Sequence, residues 1–124
     1  NDAETFENWI QALEDLKKEI DIPATIQDWL VEAHPETSAE EWEEKFLAAV
    51  DQMSEWAFHD ACTGCNPVYP TFEELKECYL RAYYGDKTFE KLYAGQKITV
   101  NVPLERHADT PVACSDPALL GGFM

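Results

Sequence analysis

The sequence predicts an all-α fold: a small bundle of four to five helices followed by an extended C-terminal tail. Three observations carry that expectation. Large apolar residues recur at intervals of three and four through most of the first 85 positions. Two segments open with Ser or Thr followed three residues later by Glu, the pattern in which cap and third residue satisfy each other's backbone amides. Only one short stretch near the end alternates as a strand would.

Taken in order, residues 2–20 place Phe6, Trp9, Ile10, Leu13, Leu16 and Ile20 on one stripe of a helix, with Asp2 as its cap and Lys17 and Lys18 at the negative end of its dipole. Pro23 stops it. Thr25 caps a short second helix carrying Ile26, Trp29 and Leu30, which His34 and Pro35 terminate. Ser38 and Glu41 then form a capping box for a third helix whose stripe is Trp42, Phe46, Ala49, Val50, Met53, Trp56 and Ala57. Glu40, Glu41, Glu43 and Glu44 read as a solvated first turn rather than a cation site, because no other oxygen ligands accompany them. Residues 60–70 hold two Pro, one Gly and one Asn and predict an ordered loop. Thr71 and Glu74 open a fourth helix with Phe72, Leu75, Cys78, Tyr79, Ala82 and Tyr83 on one side and Gly85 as its stop. Residues 87–93 add a short helix, residues 97–102 alternate as a possible strand, and an aperiodic tail completes the chain. The organisation expected is thus a helical domain over 1–85 and an appended 86–124.

Charge excludes some functions. The 124 residues carry 25 acidic and 9 basic side chains, a formal net charge of -16. Clustered Lys and Arg are what a nucleic-acid backbone or an anionic membrane surface requires, so neither is an expected partner. Residues 1–85 hold 20 of the acids and 5 of the bases, which assigns the acidity to the helical body. No apolar run reaches the roughly 20 residues of a membrane span. Asn rather than Met at position 1 suggests a processed, trimmed or excised chain. The four cysteines, Cys62, Cys65, Cys78 and Cys114, are irregularly spaced in a chain rich in large apolar residues, so a reducing compartment, cytoplasm or organelle interior, is expected.

Residues 59–67 offer the side chains of several chemistries. His59, Cys62 and Cys65 are spaced as one metal knuckle, and His107 and Cys114 offer further ligands, but a structural zinc site normally shows two paired knuckles. A redox reading of Cys62-Thr63-Gly64-Cys65 lacks the surrounding βαβ pattern and stands six residues short of the next helix. Nucleophilic catalysis would need His59 or Asp60 to converge on Cys62, and nothing in their spacing imposes it. No Gly-rich phosphate loop is present.

The run Ala57-Phe58-His59-Asp60-Ala61-Cys62-Thr63-Gly64-Cys65-Asn66-Pro67, with Tyr69-Pro70 and the helix through Ala82-Tyr83-Tyr84-Gly85, resembles the C-terminal helical end of iron-dependent alcohol dehydrogenases. The alcohol dehydrogenase half of bifunctional aldehyde-alcohol dehydrogenases is the nearest likeness. Ile22-Pro23-Ala24-Thr25-Ile26 resembles that family's Gly-Ile-Pro turn, and Phe46-Leu47-Ala48-Ala49-Val50-Asp51 its helix leading into the loop. The likeness covers residues 4–85; the tail carries no family motif. Departures are His59-Asp60 in place of an acidic pair, Ala61, Cys65, and Val68 where the family has Arg; residues 32–44 look like an insertion. The resemblance implies that Cys62, Thr63, Gly64, Asn66 and Pro67 line a substrate pocket, without a nucleophile among them. It also implies iron and NAD for an intact enzyme, both held by upstream regions that have no counterpart in these residues. Two functional expectations follow: a C-terminal helical segment of such an enzyme, not catalytic by itself, whose partner is the remainder of that enzyme; or a repurposed non-catalytic subunit docked on a larger assembly through its tail. The apolar stripes are broad for so small a domain, so association is expected.

Overall fold

The computed structural model describes residues 1–101 and contains five α-helices: α1 (Asp2–Glu19), α2 (Ile26–Ala33), α3 (Ala39–His59), α4 (Phe72–Tyr84) and α5 (Asp86–Tyr93). A single 3-10 turn, Thr63–Cys65, lies between α3 and α4. The all-helical expectation holds, and there is no strand among the described residues. Residues 97–101 join no ladder, and no strand lies beside them among the described residues. Side chains hold this segment instead: Lys76 Nζ donates to Thr99 O at 2.7 Å, and Asn101 N donates to Asp51 Oδ2 at 3.1 Å. Val102 and the tail lie outside the described residues.

Local caps set the helix starts. Thr25 Oγ1 accepts from Asp28 N at 3.1 Å, and Thr71 forms a complete capping box with Glu74. At Ser38 only half of the expected box forms: Ser38 Oγ accepts from Glu41 N, while the Glu41 carboxylate turns to Lys45 Nζ at 2.7 Å. The cap of α1 is Asn1, whose Oδ1 accepts from Glu4 N at 2.9 Å, and Asp2 is the first helical residue. At the other end, Asp21 takes a left-handed φ of 57° so that Ile22 N reaches back to Lys17 O at 2.8 Å.

α3 and α4 form the central pair, with α2 against both and α5 against α4. The core consists of Phe46, Val50, Leu80, Tyr83, Tyr84 and Phe89, flanked by Leu30, Met53, Tyr79, Tyr93 and Ile98. Phe46 stacks on Tyr83 with centroids 4.1 Å apart, and Arg81 lies over the Phe89 ring at 4.3 Å. The buried faces are rotated from the expected stripes. In α3, Ala49 and Trp56 are exposed, whereas Ser54 and Glu55 are buried; Ser54 is accommodated because its hydroxyl donates to Val50 O at 2.7 Å. In α4, Cys78 and Ala82 face outward, and Leu80 and Tyr84 face the core.

α1 stands apart. No α-carbon of α1 comes within 8 Å of another helix, and none of its residues is buried. Its apolar stripe is therefore solvent-facing among the described residues, from Leu13 at 39% exposure to Phe6 at 60%.

Candidate functional site

The loop singled out by the sequence begins where α3 ends. Asp60 closes the helix, its backbone N–H donating to Ala57 O at 3.3 Å, and its side chain then accepts from Cys62 N at 2.8 Å. Thr63 Oγ1 donates back to Ala57 O at 2.6 Å, which fastens the 3-10 turn to the last turn of α3. Cys65 N donates to Cys62 O and Asn66 N to Thr63 O, each at 3.1 Å, and the Asn66 side-chain amide donates to Val68 O. Every member of the Asp-x-Cys-Thr-x-x-Asn series thus has a role in shaping the turn.

An aromatic base supports it. Phe58 stacks on Phe72 with centroids 4.0 Å apart, and Tyr69 meets Phe58 edge-on at 5.5 Å. The His59 ring belongs to this base, edge-on to Phe58 at 5.3 Å and to Phe72 at 5.9 Å. Two of the shallow grooves beside the turn share Thr63. One, of about 330 Å³, is lined by Cys62, Thr63, Asn66, Pro70 and Leu75; the other, of about 380 Å³, by Met53, Trp56, Ala57, Asp60, Thr63 and Tyr79. Of the residues assigned to a pocket wall, Cys62, Thr63 and Asn66 face the first groove, while Gly64 and Pro67 lie in the same turn but outside both linings. Cys62 is an exposed free thiol, as is Cys78.

Among the described residues no three His, Cys, Asp or Glu side chains come together, so they do not fit an iron or zinc site. His107 and Cys114 lie outside the described residues. No described helix is long and apolar enough to cross a membrane.

Two polar clusters escaped the sequence reading. Tyr84 donates its hydroxyl to Glu43 Oε1 at 2.6 Å, so one of the four acids at the start of α3 is half-buried against the core rather than merely solvated. Burial, then the bond to Glu43, pushes the Tyr84 phenol well above its ordinary range; Tyr83 and Tyr93 are raised by burial and by the Glu43 charge. Lys76 pairs with Asp51 at 2.5 Å between α4 and α3. Partners 25 or more positions apart leave no periodic trace, and neither pair had a local signal that would have found it.

Comparison with known proteins bears on the same region. Over 106 residues, 86% of this chain and 11% of the relative, the sequence is 39% identical to a bifunctional aldehyde-alcohol dehydrogenase of Escherichia coli (strain K12). It is 35% identical over 82 residues, 66% of this chain and 8% of the relative, to an aldehyde-alcohol dehydrogenase of Clostridium acetobutylicum. An alcohol dehydrogenase of Thermococcus barophilus is 55% identical over 42 residues, 34% of this chain and 11% of that protein. A match of 106 residues cannot fit within the first 85, so the similarity extends beyond the 4–85 span that the motifs marked. No family model matches the chain, and no solved structure matches it. The chain spans about 11% of the length of the first of these relatives.

Proposed function

The chain belongs to the alcohol dehydrogenase family that includes the bifunctional aldehyde-alcohol dehydrogenases, and from that premise we propose that it serves as the C-terminal helical segment of an iron-dependent, NAD-linked enzyme interconverting aldehyde and alcohol. The observation that carries this reading is the Cys62–Asn66 turn: a rigid, hydrogen-bonded loop on a helical platform, with Cys62, Thr63 and Asn66 along a groove open to the outside. In this proposal that groove is one wall of a substrate pocket, and Gly64 and Pro67 keep the turn tight behind it. Cys62 shapes the wall and does not act as a nucleophile. Iron, NAD and the remaining walls come from regions other than residues 1–101, consistent with the lack of a ligand set among them. Its partner is the remainder of the enzyme.

Hydride transfer requires cofactor and metal to be held against the substrate, so the isolated segment is expected to be inactive. The test is to supply the chain in trans to an aldehyde-alcohol dehydrogenase lacking its C-terminal helical segment and to follow NADH oxidation with a short aldehyde. Restored turnover supports the reading; no turnover with a partner known to fold and to bind NAD counts against it. A Thr63→Ala chain should restore less activity, through a loosened turn, and a Cys62→Ser chain should restore activity with KM changed more than kcat.

A second reading has its own motivation. Val68 stands exposed where the family has Arg, and it cannot supply the bidentate hydrogen bonds of a guanidinium. That departure fits a non-catalytic subunit docked on a larger assembly through its tail. Pull-downs with the full chain and with a chain ending at Gly85 separate the two, since equal recovery of partners would exclude attachment by the tail.

A further inference from the structure

We propose that the seam between α3 and α4 is a binding site for an extended peptide backbone, and that residues 97–101 occupy it as the chain's own displaceable strap. The proposal does not rest on the enzymatic reading above.

Two side chains recognise the strap through its main chain. Lys76 of α4 donates from Nζ to Thr99 O at 2.7 Å, and Asp51 of α3 accepts from Asn101 N at 3.1 Å. The same two side chains pair with each other at 2.5 Å and are only 17% and 23% exposed. Each charge therefore meets the strap from a partly shielded position, where a charge-assisted bond is stronger than at an open surface. In an extended chain the carbonyl of one residue and the amide of the next but one lie along the same edge, which an ammonium beside a carboxylate fits. Both bonds go to backbone groups, so the clip reads the main chain and leaves selection to the apolar side chains.

Those side chains alternate. Ile98 and Val100 are half-buried while Lys97, Thr99 and Asn101 are exposed, the period of two that belongs to an extended chain laid down by one face. Ile98 packs against the core that α3, α4 and α5 build. Main-chain bonds joined to sockets for alternate side chains are how a sheet edge takes up an added strand, and here a pair of helices supplies both. The ligand class is thus a peptide with two aliphatic residues two positions apart. Displacement follows from how little holds the strap among the described residues: two bonds to charged side chains and two half-buried side chains, with residues 94–96 exposed on the way from α5. A segment with so few contacts opens locally at much less than the global cost.

Trypsin cleavage of the full chain after Lys97, followed by mass spectrometry, reads release of the strap, because cleavage tracks the population of the open form. Lys76→Met and Asp51→Ala should each accelerate it about ten-fold, with near-UV circular dichroism showing an intact core. The double exchange of Asp51→Lys with Lys76→Asp keeps the ion pair but sets an ammonium against the Asn101 amide and a carboxylate against the Thr99 carbonyl. It should release the strap as fully as either single change. Cleavage unaltered in the single variants overturns the clip, and so does full protection in the double exchange, since an ion pair alone would then suffice. The site itself is tested in trans. Ile98→Asp in the full chain vacates the seam, and a capped peptide of residues 96–101 should then bind with a Kd on the order of 1 mM, read from amide shifts in α3 and α4. Adding Lys76→Met should weaken that binding about ten-fold. A peptide that leaves those shifts unmoved overturns the binding site.

Discussion

Tyr83 and Tyr84 are neighbours in sequence and both buried, yet their hydroxyls have opposite fates. The Tyr84 hydroxyl bonds to Glu43, whereas the buried Tyr83 hydroxyl has no hydrogen-bond partner among the described residues. Removing a hydrogen-bonded hydroxyl strands its acceptor, while removing an unpaired one relieves a desolvation cost. Tyr84→Phe is therefore expected to destabilise by about 1–2 kcal/mol, and Tyr83→Phe to be neutral or to raise the melting temperature; thermal denaturation of the two variants checks the contrast. The same phenols set an alkaline limit. Because the folded state holds Tyr83, Tyr84 and Tyr93 protonated above their ordinary value of 10.0, these three phenols bind the same protons in the folded and unfolded chains at neutral pH, and more in the folded chain as pH rises past 10. Their contribution to stability should be undiminished up to about pH 10 and fall beyond it, and the loss should be smaller in Tyr84→Phe. None of this was legible from spacing, since Glu43 and Tyr84 are brought together by the α3–α4 contact. What was legible at this scale was local: Thr25, Ser38 and Thr71 cap as expected because the amides they satisfy lie three residues away.

Helix positions followed from the apolar period, but helix faces did not follow in full. A stripe states which residues share a side; which part of it is covered depends on where neighbours lie, so α4 turns Leu80 and Tyr84 inward and Cys78 outward. α1 is the extreme case, a complete stripe that remains 39% to 60% exposed. The junctions make sharper predictions. Gly85 ends α4 and begins α5 with φ 81° and ψ 152°, a conformation essentially reserved for Gly, and an added Cβ would also stand 3.3 Å from Thr25 Cγ2. Gly85→Ala is expected to cost about 1–3 kcal/mol in urea denaturation. Asp21 holds the corresponding left-handed position after α1, where the resemblance pointed to a Gly. Asp21→Gly should relieve about 0.5–1 kcal/mol of local strain, read as slower amide exchange in the last turn of α1.

As a whole, the molecule divides unequally. α2 to α5 share one core, to which Phe89 of α5 and Ile98 beyond it contribute, so the change in charge near Gly85 does not coincide with an edge of packing. Amide exchange at low protein concentration should follow that division, with α3 and α4 protected to the global unfolding limit and α1 exchanging through local opening. The arrangement of contacts has a kinetic consequence as well. Within the body, helices pack mainly on their neighbours in the chain, α2 on α3, α3 on α4 and α4 on α5, so few large loops have to close before native contacts form. Refolding of the body should accordingly be fast for its size, with the α3–α4 hairpin as its earliest unit. Substitutions in α1 should then leave the refolding rate of the body unchanged.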